Sequence, residues 1–193
     1  DKLRLYEVIL CGLSMGGYIA LKAIEKFPRR FDSLVLSDTQ CLADTLKEKQ
    51  KRMKAIESIK ENGVEKYADL SIKNLFAPGS FRTNVEEIAA VRNMIINTSV
   101  QSISRTLFAL SVRQETCSKL YKIEVPVLIM AGKEDKITPP DSARLMKEHI
   151  QFSRLRILEH AGHIANMENP WEFNNHLIGF LHSQIKRAVS IAY

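Results

Sequence analysis

Apolar and polar positions follow two different regimes along this chain. Near the start, "LYEVILC" (residues 5–11) is an almost continuous apolar stretch and predicts a strand buried on both faces. After a pair of glycines, Ala20, Ala23, Ile24 and Phe27 recur at i, i+3, i+4, i+7, the stripe of one helix, which Pro28 stops. "SLVLSD" (residues 33–38) then reads as a second strand. Strand, helix, strand at this spacing is the signature of a parallel sheet.

From residue 42 to residue 116 the period changes. Four helical segments follow, with no convincing strand among them. The first begins near Asp44, where Thr45 and Glu48 have the spacing of a capping box, and it carries Met53, Ile56 and Ile59. The others are expected over residues 64–76, after Thr83 and Asn84, and over residues 100–112. The α/β regime then returns. "VPVLIMAG" (125–132) predicts a strand, "PPDSARLMKEHI" a helix entered through prolines, and "RLRILEH" (154–160) a last strand. Asn169 and Pro170 open a final helix whose buried stripe is Phe173, Leu177, Phe180 and Leu181. The expected organisation is a core built from residues 1–41 and 117–193, with residues 42–116 inserted as a helical lid.

Composition changes this picture little. The 193 residues are 45% apolar and 26% charged, enough for one domain with a real core. A net charge of +6 invites a nucleic-acid reading, but Lys and Arg alternate with acids, as in "KEKQKRMKAIESIKENGVEK". Neither a nucleic-acid nor a membrane partner is expected. No apolar run approaches the ~18 residues needed to span a bilayer. Cys11, Cys41 and Cys117 are odd in number and far apart, so free thiols in a reducing cytoplasm are expected, with no zinc site. The chain opens on Asp1 rather than Met, so a preceding segment is expected to be missing, along with any targeting signal it carried.

The candidate chemistry starts at "ILCGLSMGG" (residues 9–17). Gly12-Leu13-Ser14-Met15-Gly16 matches G-x-S-x-G at the junction of a buried strand and a helix. A serine on such a turn projects above the sheet. Gly12 and Gly16 are expected to remove side chains that would collide where strand and helix converge. The backbone N–H of Met15, at a helix N-terminus, can point at a developing oxyanion. A serine hydroxyl needs a base and an orienting acid. His163 in "EHAGHIANMENP" is the favoured base, with His160 its rival because it ends a strand. Asp135 in "AGKEDKITPP" is the favoured acid, with Asp38, at the end of the second strand, as competitor. Glu168 reads as structural.

These pieces together resemble the α/β-hydrolase family, in particular its branch of small esterases and lactonases that includes 3-oxoadipate enol-lactonases. The resemblance rests on "GLSMGGYIAL", "LVLSDT", "VPVLIMAGKEDKITPP" and "AGHIANMENPWEFN", in the family's order. It implies an α/β-hydrolase fold with Ser14 as nucleophile, Asp135 as acid, His163 as base and residues 42–116 as lid. A serine at this position also separates the chain from epoxide hydrolases and haloalkane dehalogenases, which carry aspartate there. The chain departs from the family in lacking the strands and the His-Gly loop that normally precede the elbow. The first strand is therefore expected to expose an edge, covered by a missing N-terminal segment or a homodimer. The implied activity is hydrolysis of a small-molecule ester or lactone, with no metal or organic cofactor. A C–C bond hydrolase with the same triad, or a non-catalytic hydrolase-like binding protein, is the alternative.

Overall fold

The computed structural model describes Leu5 and residues 7–191. Residues 1–4 and 192–193 of the expected core segments, and Tyr6 of the expected first strand, lie outside the described residues. Among the described residues, four strands form one parallel sheet in sequence order: β1 (Val8–Leu13), β2 (Phe31–Ser37), β3 (Val127–Gly132) and β4 (Ser153–Leu158). Between β1 and β2 runs α1 (Met15–Lys26). Between β2 and β3 run five helices: α2 (Leu46–Asn62), α3 (Val64–Leu75), α4 (Ser80–Thr83), α5 (Val85–Ile96) and α6 (Val100–Ser111). The α/β pattern resumes with α7 (Pro140–His149) between β3 and β4, then α8 (Ala165–Glu168) and α9 (Pro170–Ile191). Two short helices, α4 and α8, were not expected from the sequence. Each is a single turn, too short to show a hydrophobic period.

Strand pleating divides the core in two, because successive side chains point to opposite faces. Leu34 and Leu36 of β2 join Val127 and Ile129 of β3 on the face covered by α1 and α7, with Leu21, Ile24 and Met146. Val35, Leu128 and Met130 face the other way, onto Phe173 and Phe180 of α9. Both central strands are buried on both faces. The outer pair differ: β4 alternates exposed Arg154 and Arg156 with half-buried Leu155 and Ile157, which suits an edge. β1 is an edge as well, so the expectation of a strand buried on both faces fails. Its Val8, Ile9 and Leu10 are half-buried and Cys11 is exposed, since no strand covers its outer side among the described residues. Phe27, expected on the buried stripe of α1, lies beyond the helix end and is exposed.

The helical insertion has a small core of its own, Ile56 and Ile59 of α2 against Ile103 and Leu107 of α6. The Thr45–Glu48 capping box opens α2 as expected: the Thr45 hydroxyl accepts from the Glu48 N–H, and the Glu48 carboxylate accepts from the Thr45 N–H. The two chain crossings at the insertion's base are stapled together. Cys41 and Cys117 form a disulfide, which overturns the expectation of free thiols there; Cys11 remains free. Seventy-six residues separate the pair in sequence, and only the return of the chain to the end of β2 brings them together. Beside it, Thr116 N–H donates to the Cys41 carbonyl at 2.8 Å. Buried Asp44 accepts from Arg113 Nη1 at 2.5 Å and also pairs with Arg52, while Arg113 Nη2 donates to the Leu42 carbonyl. The guanidinium of Arg113 stacks 4.2 Å from the centre of the Tyr18 ring on α1. No helix among the described residues is long and apolar enough to cross a membrane.

Candidate active site

The turn between β1 and α1 holds Ser14 at φ 51°, ψ −113°, a left-handed conformation uncommon for a residue with a Cβ. The surroundings hold it there. Ser14 N–H donates to the Ser37 carbonyl of β2 at 2.9 Å, and the Thr39 hydroxyl donates to the Ser14 carbonyl at 2.8 Å. A Cβ on Gly12 would run into the Gly16 carbonyl, and one on Gly17 would run into the Thr39 side chain. Gly16 itself has open space where its Cβ would be. The glycines that permit the close approach are therefore Gly12 and Gly17, a correction to the expected pair. Met15 is the first residue of α1, so its N–H is one of the helix-terminal donors with no carbonyl partner in the helix.

Asp135 and His163 reach Ser14 from the ends of neighbouring strands. Asp135 lies in the turn after β3. His163 follows β4 through a turn in which His160 takes φ 55°. His163 Nε2 lies 2.7 Å from Ser14 Oγ and Nδ1 lies 2.8 Å from Asp135 Oδ2. A carboxylate only accepts, so Nδ1 carries the proton and Nε2 is left to accept from the serine hydroxyl. The acid is fixed by further donors: Ile137 N–H and Thr138 N–H to Oδ1 at 2.8 and 3.0 Å, and the Thr138 hydroxyl to Oδ2 at 2.7 Å. Burial works to raise the Asp135 pKa, but the bonds and charge of His163 and the Thr138 donors outweigh it and hold the group below its usual value. Thr138 was missed in the sequence. Its position three residues after the aspartate, before two prolines, was the available signal.

The rivals fall elsewhere. His160 is exposed on its turn. Asp38 is fully buried near the site, but its carboxylate accepts from Gly132 N–H at 2.8 Å and the Ser37 hydroxyl at 2.7 Å rather than from the imidazole. Burial pushes its pKa up to about 7, against the opposing pull of those donors and of the His163 charge. Among the described residues, no group of three or more His, Cys, Asp or Glu side chains could hold a metal ion.

A serine, an imidazole and a carboxylate on the C-terminal ends of three parallel strands narrow the choice of fold family. The family model Hydrolase_4, described as serine aminopeptidase, S33, matches residues 2–170. The chain belongs to this family of α/β hydrolases. Among relatives, it is 29% identical over 175 residues to 3-oxoadipate enol-lactonase 2 of Acinetobacter baylyi, covering 91% of this chain and 64% of that one. It is 27% identical to a putative 2-succinyl-6-hydroxy-2,4-cyclohexadiene-1-carboxylate synthase of Bacillus subtilis, covering 95% of this chain and 69% of the other. Among solved structures, an esterase from Thermogutta terrifontis superposes with a TM-score of 0.87 at 28% identity, covering 92% of this α/β hydrolase and 65% of the esterase. The enol-lactonase of Burkholderia xenovorans shares the fold, with a TM-score of 0.86 at 22% identity and 94% and 68% coverage. This α/β-hydrolase chain thus spans about two thirds of the length of the proteins it resembles.

Proposed function

We propose that this chain carries the nucleophile, base and acid of a serine hydrolase acting on a small carboxylic ester or lactone. One observation carries the reading: the unbroken hydrogen-bonded series Asp135–His163–Ser14, with the serine held strained at a helix N-terminus. The names of the relatives support the substrate class. In the first half-reaction, Ser14 Oγ bonds to the carbonyl carbon while its proton passes to His163 Nε2. Asp135 holds the imidazole in register and stabilises its cation. The Met15 N–H meets the oxyanion. Collapse breaks the carbon–oxygen bond of the ester, and the leaving alkoxide takes the proton from Nε2. Water then adds to the acyl-enzyme with His163 as base, releasing the acid and restoring the Ser14 hydroxyl. The helical insertion serves as lid. A second oxyanion donor would come from whatever covers the open edge of β1, either a further segment of a longer protein or a second copy of this chain.

Hydrolysis of p-nitrophenyl acetate by the purified protein and by Ser14→Ala tests this. The wild type is expected to turn over with the variant at background, and a fluorophosphonate probe is expected to label Ser14. Equal, slow release by both proteins, with no labelling, would sink the reading. Size-exclusion chromatography separates the two ways of covering β1, since a dimer would point to self-pairing.

A further inference from the structure

The loop that carries His163 is held from two sides, by the end of β3, where Glu134 N–H donates to the Ala161 carbonyl at 2.8 Å, and by the helical insertion. His163 N–H donates to the carbonyl of Leu75, the last residue of α3, at 2.8 Å. Glu168, at the end of α8, is buried, and its carboxylate accepts three donors. Gly162 N–H reaches Oε1 at 2.7 Å, while Ala77 N–H and the Ser80 hydroxyl reach Oε2 at 2.7 and 2.6 Å. One oxygen therefore grips the residue before the imidazole and the other grips the insertion. The packing leaves no slack between the two: a Cβ on Gly162 would sit 2.7 Å from Ala77 N and 2.9 Å from the Leu75 carbonyl oxygen. Ala77 and Ser80 are themselves buried, so water does not compete for these bonds.

We propose that Glu168 is a positioning residue that ties the place of the imidazole to the place of the insertion, so that movement of residues 75–80 is felt at His163. The proposal rests on the serine-hydrolase reading for its effect on rate. The physical cause is the acceptor count. A carboxylate offers lone pairs to three donors on both oxygens, whereas an amide presents N–H groups on one side. Glu168→Gln keeps the shape but sets an amide nitrogen against either Gly162 N–H or the Ala77–Ser80 pair. Relaxation of that conflict moves the base by a fraction of an ångström, which is enough to spoil proton transfer.

Two measurements test it together. For Glu168→Gln, kcat for p-nitrophenyl acetate is expected to fall about tenfold or more while KM stays within about twofold. Amide hydrogen exchange at His163 is expected to quicken while protection in β3 is unchanged. Ser80→Ala, which removes one donor from the insertion side and leaves the carboxylate in place, is expected to give a smaller effect in the same direction. It decides the matter if Glu168→Gln does not fold. Wild-type kcat and wild-type exchange at His163 would overturn the proposal, as would a rate loss matched by equal loss of protection in β3. If the wild type shows no Ser14-dependent turnover, the hydrolase reading fails, and the exchange at His163 still decides whether Glu168 links the two parts.

Discussion

The sheet and the helical insertion solve different physical problems. The central strands β2 and β3 are fixed by backbone pairing on both sides and by side chains packed on both faces, and β1 and β4 pair along their inner sides. The strand ends are therefore rigid enough to aim Ser14, Asp135 and His163 at one another. The insertion packs α2 on α6 through a small cluster of Ile56, Ile59, Ile103 and Leu107, and fastenings at its base tie it to the sheet. Those fastenings are the Cys41–Cys117 disulfide, the Asp44–Arg113 and Asp44–Arg52 pairs, and the Glu168 carboxylate. A structure of this kind concentrates precision in the sheet and leaves the insertion as the part free to adapt. Glu168, with the His163 N–H bond to the Leu75 carbonyl beside it, is where the insertion meets the loop that carries the imidazole.

Four experiments press on that contrast. The largest effect is expected on the sheet side. Asp135→Asn keeps the shape of the acid turn but sets an amide against the imidazole, favouring the wrong tautomer, and kcat should fall by roughly 10⁴-fold. On the insertion side, the expected loss is in stability. Reducing the Cys41–Cys117 bridge frees a loop of 76 residues in the unfolded chain, and the chain-entropy argument puts the cost at about 4.5 kcal/mol. Thermal melts with and without a dithiol reductant measure this. If the sheet and insertion are as unequal as described, hydrogen exchange in α2 and α6 should quicken first.

Asp38 sets a subtler test inside the sheet. Its folded pKa, raised to about 7, means that the native state holds a proton the unfolded chain releases near pH 4. Stability should therefore fall as pH rises from about 4 to about 7. Asp135 has the opposite sign: its depressed pKa contributes stability above about pH 4 that is lost as pH falls through the folded value. Asp38→Asn is expected to match the wild-type melting temperature near pH 4 and to exceed it at pH 8. Equal melting temperatures at both pH values would show that the buried carboxyl imposes no charge penalty. The smallest effect belongs to Thr45→Ala, which removes the hydroxyl that caps α2 and should cost about 1 kcal/mol. Its effect on turnover should be slight, and a large one would mean that α2 is more tightly coupled to the sheet than the contacts of residues 75–80 imply.

Much of the molecule was legible in the sequence because the relevant signals are local. Continuous apolar runs marked β2 and β3, helical stripes marked α1, α7 and α9, and the Thr45–Glu48 pair marked the start of α2. Gly12-Leu13-Ser14-Met15-Gly16 singled out Ser14 because a strand-to-helix turn this tight needs small neighbours, although which glycines face contact became clear only when Thr39 arrived against Gly17. His163 and Asp135 stood out because each follows a strand.

The sequence by itself therefore determined the sheet elements, the elbow and the order of the three polar residues around it, since each depends on neighbours a few positions away. Tertiary structure alone decided the rest. It turned the Asp135 carboxylate to the imidazole and the Asp38 carboxylate to Gly132. It joined Cys41 to Cys117 across 76 residues and brought Glu168 against Ala77, Ser80 and Gly162. Such contacts have no period and no fixed spacing. They exist only once the sheet has set where each chain crossing ends, which is why no local pattern could announce them.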